Sequence, residues 1–171
     1  MTTSTKNHHD LWNMIKDIKF GMFTTKHHGG EHAGHMHSRP MTTQNKDFDD
    51  GSLWFFMSRA SGPVEDLVAD PIVNVSYAEP KDDTYVSVSG IARVVNDVDQ
   101  ARSLWSKGAQ AWFSGGPEDP DLALVTVTVE HAHYWDVKEN KLTQMLIMAK
   151  AAITGEEPQL GESGEAKLKG S

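Results

Sequence analysis

The 171-residue chain predicts an α+β domain: an antiparallel sheet or barrel with its helices at the periphery. Three observations carry that reading. Residues 122–130 set Val125, Val127 and Val129 against Thr126, Thr128 and Glu130, the period-two pattern of a half-buried strand. Residues 52–58 form a near-continuous apolar run, as expected of a strand covered on both faces. The count comes to about six or seven strands and four helices, without regular β-α-β alternation.

Along the chain, Leu11, Met14, Ile15 and Ile18 fall at helical spacing, and that helix is expected to end near Phe20-Gly21. Residues 20–25 and 35–41 read as two strands of a hairpin around a loop at 26–34 with three glycines. After the 52–58 strand, Ser61-Gly62-Pro63 opens a helix, since proline suits its first position. Val64, Leu67 and Val68 are its expected apolar face, and Asp70-Pro71 stops it. Strands follow at 72–77 and 84–95, with Gly90 marking a bulge or bend. Asp97 or Asp99 caps a helix carrying Val98, Ala101 and Trp105. Residues 107–121 read as a long functional loop, and 131–137 continue or pair with the strand before them. Asn140 caps a last helix faced by Leu142, Met145, Leu146, Ala149, Ala152 and Ile153, with Gly155 as its stop. The domain is expected to span 1–155. Residues 156–171, rich in Gly, Glu, Lys and Ser, predict a mobile polar tail.

Composition narrows the function. The absence of cysteine rules out disulfides, thiolate metal sites and a thiol nucleophile, and it fits a reducing, cytoplasmic compartment. A net charge of −8 argues against a nucleic-acid binder, whose affinity comes from phosphate neutralisation. The first ten residues hold no apolar run, so no secretory leader is expected. No stretch approaches the roughly 18 apolar residues of a membrane span.

Three clusters could carry chemistry. In Ser38-Arg39-Pro40-Met41, arginine offers a planar fork that matches phosphate oxygens, if it is not simply a surface arginine beside an edge-strand proline. Trp112-Phe113, before a Gly115-Gly116-Pro117 turn, offers flat apolar surface to a ring ligand or pins its own loop. His27, His28, His32, His35 and His37 form a histidine-rich loop, read as exposed and weakly metal-prone rather than as a dedicated metal site. His131 and His133 alternate on a strand and read as half-buried side chains.

Taken in order, these segments resemble a known family. Gly21-Met-Phe-Thr-Thr25, His37-Ser-Arg-Pro-Met41, Leu53-Trp-Phe-Phe56 and Asp70-Pro-Ile-Val-Asn-Val-Ser-Tyr77 are followed by Val86-Ser-Val-Ser-Gly90 and Leu104-Trp105. Ala111-Trp-Phe-Ser-Gly-Gly-Pro-Glu-Asp-Pro120 and Tyr134-Trp-Asp136 complete the set. The pattern resembles the pyridoxamine 5'-phosphate oxidase-like superfamily, in its general stress protein branch. The resemblance implies a split β-barrel that forms a homodimer and binds FMN at the interface. Arg39 then matches the arginine on the FMN phosphate, and His37, Ser38, Pro40 and Met41 run beside the ring system. Phe56, Met57 and Ser58 lie on the neighbouring strand, Ser61 faces the phosphate, and Trp105 and Trp112 cover the pocket or arrive from the partner.

One departure bears on function. Where the family pattern carries a lysine two residues after the serine matching Ser61, this chain has Pro63; a helix N-terminus, Arg59 and Arg39 remain as anion donors. The resemblance implies a flavin-dependent oxidoreductase of unknown substrate. The departure keeps two other readings open: a non-catalytic flavin or ligand binder, and a structural dimer with a vacant pocket.

Overall fold

The computed structural model describes residues 7–137 and 141–167. Its elements are α1 (His8–Ile15), β1 (Gly21–Lys26), β2 (Met36–Met41), β3 (Ser52–Ser58), α2 (Gly62–Ala69), β4 (Ile72–Glu79) and β5 (Thr84–Val95). They are followed by α3 (Val98–Leu104), α4 (Lys107–Trp112), a 3-10 turn at Gly116–Glu118, β6 (Leu122–Asp136), α5 (Lys141–Thr154) and β7 (Glu162–Lys167). All strand pairs are antiparallel, in the order β2-β1-β4-β5-β6-β3, and β7 also pairs with β6. The predicted α+β class holds: the sheet curls around one core, and the helices lie outside it.

β6 is the spine. One of its edges carries β5 along almost its whole length. The other is shared, with β3 on Leu122–Thr128 and β7 on His131–Asp136. The segment after β2 closes the curl onto the free edge of β3. Gln44 N–H donates to the Trp54 carbonyl at 2.8 Å, and the Asn45 side chain donates to the Ser52 carbonyl and accepts from Trp54 N–H, each at 2.7 Å.

Inside the curl, Phe23, Phe55, Val75, Val86, Val88, Val125, Val127 and Tyr134 pack with Leu11 and Ile15 of α1 and Leu67 of α2. A second cluster lies on the opposite face of β3 and β6. There Phe56, Leu122 and Leu124 meet Ala101 and Leu104 of α3 and Ala109 and Phe113 of the α4 segment. The stretch 53–57 within β3 is therefore apolar throughout because both faces are covered.

Several expectations need correction. α1 stops at Ile15, earlier than Phe20, and an Asn7–Asp10 capping box opens it. In α2 the buried residues are Val64, Asp66 and Leu67, while Val68 is 69% exposed; the helix is turned to bring a carboxylate inward. Residues 107–121 are not one irregular loop. Ser106 caps α4 through the Ala109 amide, and Asp119 accepts from Gly115 N–H to fix the turn that follows. The mobile-tail expectation for 156–171 is corrected over Glu162–Lys167. The edge of β6 beyond β3 is free to accept a strand, and Gly164 and Ala166 are small enough to lie opposite Tyr134 and Ala132. Asn140 as helix cap lies outside the described residues, whereas Gly155 has the positive φ of 71° expected of a helix stop. The expected apolar face of α5 is not covered: Leu142, Met145, Leu146 and Ile153 are exposed.

The bulge predicted at Gly90 exists, but the extra residue is on β6. Ser89 lies opposite His131 and Gly90 opposite Val129, so Glu130 is the extra residue of the bulge. Inward residues are odd-numbered up to Val129 and even-numbered from Ala132. Gly90 is needed for close approach: a Cβ there would stand 2.1 Å from the Thr128 carbonyl oxygen.

Candidate functional site

Pairing of β1 with β2 places Arg39 opposite Phe23, and the arginine side chain runs along the sheet to Thr25. Arg39 Nη1 donates to Thr25 Oγ1 at 2.9 Å, and Thr25 Oγ1 donates to Asp66 Oδ2 at 3.0 Å. Asp66, 4% exposed, also accepts from the His28 amide at 3.0 Å and has His27 Nδ1 at 3.4 Å. The His37 and His27 rings lie 4.1 Å apart, centre to centre. A five-residue network of Arg39, Thr25, Asp66, His27 and His37 thus joins the root of the histidine loop to α2.

The electrostatics follow from these contacts. Burial works to raise the Asp66 carboxyl, but the His28 amide, the Thr25 hydroxyl and His27 outweigh it and hold it below its ordinary value. Burial lowers Arg39 and Asp66 opposes that; a guanidinium so placed remains a cation. His37 is held below 6.5, chiefly by His27, then by lost solvation and by Arg39. Among the described residues only Nη1 of Arg39 makes a protein hydrogen bond, so most of its five donors are uncommitted.

The other predicted residues fall into separate settings. Ser38 points to the outer face, its hydroxyl 2.7 Å from that of Thr24. Pro40 is exposed on the edge strand, where its missing N–H costs no ladder bond, and Met41 packs partly against the main core. Phe56 meets the Trp105 ring at 5.3 Å in the second cluster. Met57 is buried in the main core, which leaves only its backbone available to a ligand. Ser58 ends β3, and its carbonyl accepts from Ser61 Oγ at 2.6 Å. Ser61 is the N-cap of α2 but makes no side-chain cap bond, so its oxygen keeps acceptor capacity beside the helix start. Trp112, at the end of α4, is 85% exposed. Arg59 is committed elsewhere: Nη2 donates to the Leu122 carbonyl at 3.0 Å, and its amide to the Asp121 carbonyl. It is not poised to replace the lysine that Pro63 displaces.

Asp66 is the residue that sequence reasoning missed. Its signal was present: it lies three residues after Pro63 and directly before Leu67, on the inward stripe of the helix.

The geometry agrees with comparisons to known proteins. Residues 6–159 match the family model described as pyridoxamine 5'-phosphate oxidase like. Protein bli-3 of Neurospora crassa is 30% identical over 154 residues, covering 85% of this chain and 72% of the relative. A crystal structure of a general stress protein 26 from Jannaschia sp. CCS1 superposes with a TM-score of 0.73 at 25% identity, covering 94% of this chain and 97% of the other. A general stress FMN/FAD binding protein from Xanthomonas citri superposes with a TM-score of 0.65 at 29% identity, over 78% of this chain and 90% of that one. No helix among the described residues is long and apolar enough to cross a membrane. With the curled sheet, the Arg39 motif on β2 and a family match across most of the sequence, the chain belongs to the pyridoxamine 5'-phosphate oxidase-like family, alongside its general stress proteins.

Proposed function

We propose that the protein binds FMN as a homodimer and acts as a flavin-dependent oxidoreductase. The observation that carries this is the half-buried Arg39 fork, fixed through Thr25 to the Asp66 carboxylate with most of its donors uncommitted. An arginine held in one rotamer loses little entropy on gripping a phosphate. Ser61 and the first amide of α2, Gly62 N–H, supply further polar groups at a helix start. The backbone of His37 to Met41 and the Ser58 region offer hydrogen bonds to a ring edge, and Phe56 with Trp105 offers aromatic surface. Trp112 stands clear of its own chain, which suits a side chain that covers the partner's pocket. FMN, when bound, supplies hydride-transfer chemistry, and the protein supplies orientation and field.

Two observations favour the second reading, a weak or non-catalytic binder. Pro63 has neither cation nor N–H to offer, and Arg59 is tied to Leu122. The deciding experiment is an absorbance and fluorescence titration with FMN. Arg39→Ala is expected to weaken binding about ten- to hundredfold, the cost of one charge-assisted contact, and Pro63→Lys to strengthen it. Indifference to Arg39→Ala removes the phosphate assignment. Wild-type protein that stays empty while Pro63→Lys binds makes this a barrel that has lost its cofactor. Binding without turnover of any reductant leaves a flavin carrier.

A further inference from the structure

The Glu130 bulge has a chemical result at the other end of β6. Before it, odd-numbered residues face the core; after it, they face outward, so His131, His133 and Trp135 leave the interior together. His133 is paired in register with Glu165 of β7. One ligand atom from each of His131, His133 and Glu165 lies within 4.8 Å of the others. The two histidine rings are 5.6 Å apart, edge to face.

His131 is the anomaly. Both its ring nitrogens are shielded from solvent, and neither has a hydrogen-bond partner in the protein. Buried polar atoms are rarely left in that state, because lost hydration goes uncompensated. The hydroxyls on the paired strand β5 make no bond to His131: Ser87 Oγ and Ser89 Oγ accept from Asn74 Nδ2 at 2.8 Å and 3.0 Å, and neither bonds to a His131 nitrogen. His133 and Glu165 stand on the exposed side of the same spot, so an ion can enter from solvent.

We propose that His131, His133 and Glu165 bind a divalent transition metal ion that pins β7 to β6. Two imidazole nitrogens and one carboxylate oxygen, with no thiolate available, select zinc-like ions over soft copper(I) or the all-oxygen ions calcium and magnesium. Metal–nitrogen bonds of about 2.0–2.1 Å put ligand atoms roughly 3–4 Å apart, within side-chain adjustment of the spacing present here. Three protein ligands leave a coordination position for water. The ion satisfies a His131 nitrogen that the fold otherwise strands, and it links two segments paired along one strand edge. This site is separate from the Arg39 network and does not depend on flavin binding.

The test uses the untagged full-length chain, stripped with chelator and titrated with Zn²⁺ by calorimetry, with Co²⁺ absorbance as a report on ligand geometry. One equivalent is expected to bind. Affinity is expected to fall by at least about tenfold in His133→Gln and in Glu165→Gln, since even outer partners of a metal site matter that much. Both side chains are exposed, so folding is not at stake. Replacing His27, His32 and His35 together with Gln is expected to leave that affinity unchanged. Zn²⁺ is also expected to slow proteolysis within 141–167 in the wild type and not in Glu165→Gln. Failure of the wild type to bind Zn²⁺ or Co²⁺ overturns the proposal. So does binding that persists in His133→Gln and Glu165→Gln but vanishes with the loop histidines.

Discussion

Asp66 does two opposing things. It fixes Arg39 through Thr25, and it places a negative charge near the anion that Arg39 is proposed to hold. Its own ionisation is favoured by the fold, so its contribution to stability is present above its unfolded pKa near 3.8 and is lost as pH falls through the lower folded value. His37 has the same sign in a higher window: its folded pKa lies below 6.5, so stability is lost as pH falls from about 6.5 through that value. Both limbs make acid destabilising at this hairpin. Asp66→Asn is expected to destabilise the protein by about 1–3 kcal/mol at neutral pH, because buried donors lose an ionic acceptor. Urea midpoints followed from pH 3 to 7 check this; the variant is expected to lack the lower acid limb, and one that keeps it shows the limb to arise elsewhere. His37→Gln is expected to flatten only the upper part.

At the scale of elements, Gly90 and Glu130 act as one device. Gly90→Ala drives a methyl group into the Thr128 carbonyl and is expected to cost about 1–3 kcal/mol or more, the range for overpacking a close contact. Deleting Glu130 removes the extra residue: with Val129 inward, strict alternation puts His131 and His133 outward and Ala132 and Tyr134 inward, as they already stand. A native near-UV circular dichroism spectrum is the expected result; its loss means that the bend made by the bulge, beyond the alternation it resets, is needed to seat the core. A near-continuous apolar run made β3 legible in the sequence and strand alternation the start of β6, and Pro63 and Pro71 bracketed α2 closely. β7 was not legible, because its Glu, Ser and Gly residues have poor strand propensity and only pairing to β6 holds them. α4 was hidden by Gly108 and the Gly-Pro turn behind it, though its Ser106 cap was there to read. Of the candidate site, the Arg39 motif was legible. Its partner Asp66 was overlooked despite its place beside Leu67, because an acidic residue on a short helix ordinarily faces solvent; the approach of β1, which brings Thr25 to it, is what keeps it inward.

For the molecule as a whole, exposed apolar side chains matter more than buried ones. Trp112, Leu142, Met145, Leu146 and Ile153 are left uncovered by their own chain. If Trp112 covers the partner's flavin, Trp112→Ala separates folding from binding. The variant is expected to unfold within about 0.5 kcal/mol of wild type, as surface changes do, yet to bind FMN more weakly; equal FMN affinity excludes Trp112 from the pocket. Sedimentation of the same variant shows whether dimerisation moves with it. The closure between Asn45 and β3 has a further consequence, for the order of events in time. Its partners are only nine residues apart, at Asn45 and Trp54, so the edges it joins can meet early at small loop-closure cost. β3 and β6, by contrast, must find each other across some seventy intervening positions, from Ser52 opposite Thr128 to Ser58 opposite Leu122. What forms readily through so few bonds also opens readily. Native-state hydrogen exchange is expected to release the Gln44 and Trp54 amides through brief local openings, while the β5–β6 amides wait for the whole fold to unravel. The segment that closes the curl then moves on a faster clock than the spine behind it.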